Sequence, residues 1–127
     1  GGFLPAHELE LLHQALGTCR DSHALVALHH QPVAMGSRWL DTVGLRNADQ
    51  FLAIIDRYPQ VRAIVWGHVH QASDQLRNDV RLISTPSTCA QFLPGAENFS
   101  LDTRPPGYRW LDLHPDGSMQ TSVVWVE

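Results

Sequence analysis

Apolar positions recur at helical spacing near the start of the chain. Leu9, Leu12 and Leu16 fall on one stripe, the repeat expected of an amphipathic helix. Pro5 suits a first-turn position, where its fixed φ fits and its missing N–H is not needed. Gly17 is a natural stop. The pattern predicts a helix from Pro5 to Leu16, with His7 and His13 on its solvated face. Ala24 to Leu28 is then continuously apolar, between Asp21-Ser22 and His29-His30-Gln31-Pro32. A short unbroken run of this kind predicts a buried strand, and Pro32 takes the chain out of regular pairing.

Val33 to Arg46 shows no periodicity and reads as a long loop. Asn47, with Gln50 three residues on, matches a capping box. The helix it starts should bury Phe51, Ile55 and Tyr58 and stop at Pro59. Val61 to Trp66 reads as a second strand closed by Gly67, and Val80 to Ser84 as a third. Tyr108 to Leu113 and Met119 to Val126 should form a hairpin across His114-Pro115-Asp116-Gly117, whose Pro-Asp-Gly favours a turn. Strand, helix, strand and then a run of strands predict an α/β fold, a mixed sheet with helices packed on one face. No repeat or internal boundary is visible, so residues 1–127 read as one unit.

Composition narrows the partners. A net charge of −4 without any basic run argues against nucleic acid or a membrane surface. No apolar stretch approaches the roughly 20 residues of a membrane span. Cys19 and Cys89 lie far apart and fit no zinc pattern, so reduced thiols in a cytoplasmic protein are expected. The chain begins Gly1-Gly2 without methionine, and we expect sequence upstream of it.

Histidine is the unusual count, eight in this length. Two predicted strands end in it, as Leu28-His29-His30 and as Gly67-His68-Val69-His70. Ligands commonly gather beyond the carboxyl ends of strands in open α/β sheets. In extended backbone, residues i and i+2 share a side with Cα atoms about 6–7 Å apart. His68 and His70 at that spacing could each reach a different ion of a pair about 3.5–4 Å apart, with His29 adding a third nitrogen. Gly67 would leave room for close backbone approach. Metal-bound imidazole is neutral, so these residues offset none of the charge of two divalent ions. Asp41, Asp56 and Asp74 read as loop or surface residues. The site as written lacks carboxylates and is incomplete.

Gly67-His68-Val69-His70 resembles the G-H-x-H motif that closes the calcineurin-like metallophosphoesterase signature, and His29-His30-Gln31-Pro32 resembles the H-H-x-P element before it. Trp39-Leu40-Asp41, Leu45-Arg46-Asn47, Thr85-Pro86-Ser87-Thr88-Cys89 and Pro106-Gly107-Tyr108-Arg109 extend the likeness to class III bacterial cyclic-AMP phosphodiesterases, from His23 onward. The earlier signature elements, D-x-H, G-D and G-N-H-D/E, are absent. The resemblance therefore implies the C-terminal half of a single metallophosphoesterase domain, a two-sheet sandwich flanked by helices. It implies two divalent ions of the iron, manganese or zinc class, at most partly bound by this half alone. His29 and His68 would ligate one ion. His70 would ligate the other and approach the phosphate as a catalytic residue. His30, Trp39 and Arg46 are candidate substrate contacts. His30 reads equally as an outer neighbour of the metal or a plain strand-end residue, Trp39 equally as a loop anchor, and Arg46 equally as a tie from loop to helix. The implied reaction is hydrolysis of a phosphodiester, cyclic AMP to 5′-AMP, by the whole parent, with this chain alone inactive. Self-association is also expected, since half a sandwich exposes an apolar sheet face. Two other classes fit the residues: a self-contained mononuclear three-histidine hydrolase, and a non-catalytic interaction module.

Overall fold

The computed structural model describes residues 1–127. The element order is α1 (Ala6–Thr18), β1 (Ala24–Leu28), α2 (Arg38–Asp41), α3 (Ala48–Ile55), β2 (Val61–Trp66), β3 (Ser73–Arg77), β4 (Val80–Ser84), β5 (Gly107–Leu113) and β6 (Met119–Trp125). A four-stranded mixed sheet has the order β1-β2-β4-β3, and β5 pairs with β6 separately. β1, β2 and β4 are parallel, and β3 returns antiparallel beside β4.

Alternation along the strands sorts the core into two layers. Val26, Ile64, Trp66 and Leu82 face one way. They pack with Leu16 of α1, Leu40 of α2, and Phe51 and Ile55 of α3. Ala63 and Ile83 face the other way and meet Met119 of β6, with Leu25, Val65 and Leu111 around them. The helices thus cover one face of the sheet and the β5–β6 hairpin the other. Arg109 bridges the two sheets: its guanidinium donates to the Ser84 carbonyl at 3.1 Å and to Thr121 Oγ1 at 3.0 Å.

Several local expectations need correction. The first helix runs through Gly17 to Thr18, because Leu16 is buried and its carbonyl accepts from Gln60 Nε2 at 2.8 Å. His13 is half-buried, with Nδ1 2.5 Å from the Tyr58 hydroxyl, and does not lie on a solvated face. Residues 33–46 contain α2, one turn held by the burial of Leu40. Asn47 precedes α3 but caps nothing with its side chain. That side chain instead holds both the N–H and the C=O of Leu4, at 2.9 and 2.7 Å. β3 is a strand that the sequence reading missed. Its two-residue link to β4, Asn78-Asp79, has φ of 49° and 67°, the left-handed pair that tight hairpins need.

Asp56, just after α3, makes a bidentate pair with Arg77 at the end of β3. Hydrogen bonding to Arg77 holds the Asp56 carboxyl below its ordinary range; burial opposes it, and the charge of Arg77 adds a smaller push downward. The folded-state pKa is depressed. The pair's contribution to stability is therefore present above the unfolded carboxylate value and lost as pH falls through the folded one. Arg77→Gln should flatten the dependence of urea stability on pH below the ordinary carboxylate range. An unchanged acid limb would show that the pair has no role in stability.

Candidate metal centre

The register of the parallel strands builds the site. Leu28 pairs with Trp66, and Trp66 with Ser84, so three strands finish at one level. The residues that follow β1 and β2 leave the sheet side by side. His29 and His30 leave β1; Gly67 to His70 leave β2.

The path after β2 is not extended. His68 and His70 have φ of 65° and 50°, a left-handed backbone that is uncommon outside glycine. Val69 N–H donates back to the Gly67 carbonyl at 2.6 Å. An i-to-i+2 bond around a residue of positive φ is the rare, strained form of γ-turn. The expected i, i+2 alternation therefore does not orient these rings. Val69 does: it is fully buried in the helix-side core and pins the turn between them. Gly67 is not needed for close approach either, since a Cβ there would meet nothing within 4 Å.

The structure brings His29 and His68 together, with His29 Nε2 3.1 Å from His68 Nδ1. His30 completes a group in which one ligand atom from each of His29, His30 and His68 lies within 4.8 Å of the others. Burial, followed by the nearby His29, holds the His30 imidazole below its ordinary pKa. Burial, then His30 and His29, do the same for His68, against a smaller opposing effect from the Val43 backbone. Both rings are consequently neutral at neutral pH, the form that binds metal.

His70 lies outside that group. Its ring stacks on Phe92 with centroids 4.1 Å apart and planes 8° apart. Its Nδ1 lies 2.8 Å from the Ala90 carbonyl. A carbonyl only accepts, so Nδ1 carries the proton and Nε2 keeps its lone pair. A backbone partner fixing the tautomer in this way is usual for histidines that ligate metal.

Of the three candidate substrate contacts, only His30 joins the cluster. Trp39 packs edge-to-face against Phe92 and Phe99, each 5.1 Å away; the indole works here as a loop anchor. The Arg46 guanidinium lies over the Phe3 ring at 5.4 Å, tying the loop to the start of the chain. The carboxylates stay away from the imidazoles. Asp41 accepts from Met35 N and Gly36 N, while Asp56 and Asp74 pair with Arg77 and Arg81. Cys19 and Cys89 are free thiols.

Gln31 stands where the resembled family often has proline, and its burial, like the role of Gly2, was not foreseen from sequence. Gln31 is buried, donates to the Leu40 carbonyl at 2.8 Å and packs under Gly44. Gly2 lies directly on the His30 ring. A glutamine that follows two histidines is a chemical signal that sequence offers; the place of Gly2 depends on the fold and leaves none.

The donor set fits a metal ion. Two nitrogens on one ion, each about 2.0–2.1 Å from it, lie at most about 4.2 Å apart. The His29–His68 pair at 3.1 Å meets this, while the group with His30 spreads over as much as 4.8 Å. His68 Nε2, buried and without a hydrogen-bond partner, leaves Nδ1 as the nitrogen that faces the cluster.

Neutral imidazoles gathered beyond the carboxyl ends of parallel strands define an α/β chain able to hold a metal ion. Comparison with known proteins makes the class particular. The chain is 44% identical over 126 residues to the 3′,5′-cyclic adenosine monophosphate phosphodiesterase CpdA of Pseudomonas aeruginosa, covering 99% of this chain and 46% of that protein. It is 43% identical over 122 residues to CpdA of Escherichia coli (strain K12), covering 96% and 44%. It is 38% identical over 122 residues to a 3′,5′-cyclic-nucleotide phosphodiesterase of a Nostoc species, covering 96% and 46%. No protein-family model matches. The resemblance read from the motifs is borne out: this chain is a homologue, over nearly its whole length, of part of the cyclic-nucleotide phosphodiesterases. It spans under half the length of the curated relatives it matches.

Proposed function

We propose that this chain is the imidazole-bearing, C-terminal part of one metallophosphoesterase domain whose whole hydrolyses cyclic nucleotides, cyclic AMP foremost, to the 5′-monophosphate. One observation carries the reading: His29 Nε2 and His68 Nδ1 meet at 3.1 Å from separate strands, within a sequence homologous to enzymes of that name. The hairpin covering the sheet face opposite the helices supports a two-sheet, calcineurin-like sandwich. The absence of any carboxylate from the histidine group supports a site shared with sequence outside this chain.

Two divalent ions of the iron, manganese or zinc class, when bound, would supply a water ionised near neutral pH and charge to neutralise phosphoryl oxygens. The chain's own residues then have separate tasks. His29 and His68 offer converging lone pairs. Phe92 and the Ala90 carbonyl hold His70 with Nε2 free, toward a second ion or the phosphate. Trp39 fixes α2 against Phe92 and Phe99, and Phe92 in turn carries the His70 ring. The whole enzyme would act on a small-molecule substrate in the cytoplasm, where free thiols such as Cys19 and Cys89 are the norm.

Turnover of bis(p-nitrophenyl) phosphate with manganese should be strong for a longer protein containing this chain and undetectable for residues 1–127 alone. Equal turnover by both would overturn the shared-site reading in favour of a self-contained hydrolase.

A further inference from the structure

Residues 92–101, in the long connection from β4 to β5, carry three exposed apolar side chains, Leu93, Phe99 and Leu101. Single surface hydrophobics are ordinary. Three on one short segment that is otherwise tied down call for a ligand. Phe92 and Leu101 pair as an antiparallel bridge, and Leu93 N–H donates to the Ser100 carbonyl at 2.9 Å. The tip of the segment is bound to α2 and the residue before it. Ser37 Oγ donates to the Ala96 carbonyl at 2.5 Å, Trp39 N–H to the Glu97 carbonyl at 3.1 Å, and the Arg38 guanidinium to Glu97 Oε1 at 3.1 Å.

Phe99 is held without being covered. Its ring meets Trp39 at 5.1 Å and Phe92 at 5.4 Å, both edge-to-face, yet the residue is 59% exposed. Trp39, the aromatic candidate from sequence, is not free in this way: its Nε1 is buried, and its indole packs against both phenylalanines. Phe99 also lies close to His70. Phe92 stacks on His70 at 4.1 Å, so two ring-to-ring steps lead from Phe99 to the imidazole whose Nε2 is free. The base of a cyclic nucleotide stands one ribose away from its phosphate, a span of the same order.

We infer that Phe99 is a specificity-determining residue, whose exposed ring is the surface on which the base of a cyclic nucleotide stacks while the phosphate lies toward His70. The inference rests on the cyclic-nucleotide reading of the proposed function and gives that substrate's base its contact. Trp39 and Phe92 already immobilise the ring, so stacking takes little further freedom from it. Every base has a π face, so such a platform favours nucleotides over baseless phosphodiesters without telling adenine from guanine.

The experiment is steady-state kinetics, with manganese, of a longer protein that contains this chain. The substrates are cyclic AMP, cyclic GMP and methyl ribofuranoside 3′,5′-cyclic phosphate, which has no base. Stacking of a base on an aromatic ring corresponds to about 5- to 150-fold in affinity. Phe99→Ala should therefore lower the ratio of kcat/KM for either cyclic nucleotide to that for the baseless substrate by at least about fivefold. The loss should lie in KM rather than kcat, the mark of binding that substrate and transition state share. Phe99→Trp should restore the ratio. Phe99→Leu, which keeps apolar bulk against Trp39 and Phe92, should not, and it decides the matter if the alanine variant does not fold. An unchanged ratio in Phe99→Leu and Phe99→Ala overturns the inference, whether nothing is lost or all three substrates lose equally; the second result would leave Phe99 a support for its loop. In either case a parent that cleaves cyclic AMP keeps the cyclic-nucleotide reading intact. A parent that cleaves the baseless diester and neither cyclic nucleotide overturns that reading and the platform with it.

Discussion

His68→Gly, in a longer protein that contains this chain, should lower phosphodiester turnover by about 10²–10⁴-fold, the equivalent of the several kcal/mol that metal-assisted charge stabilisation supplies. His68 supplies one of the two nitrogens that already lie at ligand separation, and His70, held by Phe92 and Ala90 outside the group, does not replace it. Glycine is the clean substitution. The φ of 65° at this position strains an alanine backbone but suits glycine. Val69 stays buried in either case, so the turn keeps its anchor. Metal content and kcat should fall together while the thermal transition stays close to the parent's. A variant that keeps turnover within about threefold of the parent would remove His68 from the site.

Phe51→Ala should destabilise the chain by about 3–5 kcal/mol, the usual range for emptying a buried aromatic position. Phe51 is 2% exposed, in the cluster that joins α3 to Ile64 and Trp66 of β2 and to Leu16 of α1. The layers around it are fixed by the sheet and have little freedom to close on a cavity. At about 3–5 °C per kcal/mol for a domain of this size, the midpoint of thermal unfolding should drop by roughly 10–20 °C. A drop under about 3 °C would mean that the space refills, and that α3 is not the keystone of the helical layer.

The elements that apolar patterning marks strongly were legible. β1, β2, β4 and the β5–β6 hairpin lie where unbroken or alternating apolar runs put them, because burial on both faces or one leaves a mark in sequence. β3 was not legible: Ser73-Asp74-Gln75-Leu76-Arg77 has one apolar residue, and Leu76 is exposed. Its strand exists because Asn78-Asp79 turns tightly and β4 offers a free edge. α2 is too short to show a period. At the site, the convergence of residues 29 and 68 was readable from two strand ends. The conformation that achieves it was not, since nothing in Gly67-His68-Val69-His70 announces positive φ at both histidines. The asparagine before α3 shows the other limit. Its cap-like position was correct, but the incoming segment at Leu4 competes for its amide and wins.

Val69 makes the two histidines of its turn mechanically one part. A side chain with no exposed surface, seated among Trp66, Leu82 and the helical layer, cannot shift without disturbing close-packed neighbours. The imidazoles on either side therefore inherit the rigidity of the interior while their edges meet solvent. A bulkier residue at 69 would lift the pair like a tooth forced from its socket, spoiling a surface feature from beneath. Added bulk should be tolerated least at Val69, the residue of Gly67-His68-Val69-His70 with no exposed surface.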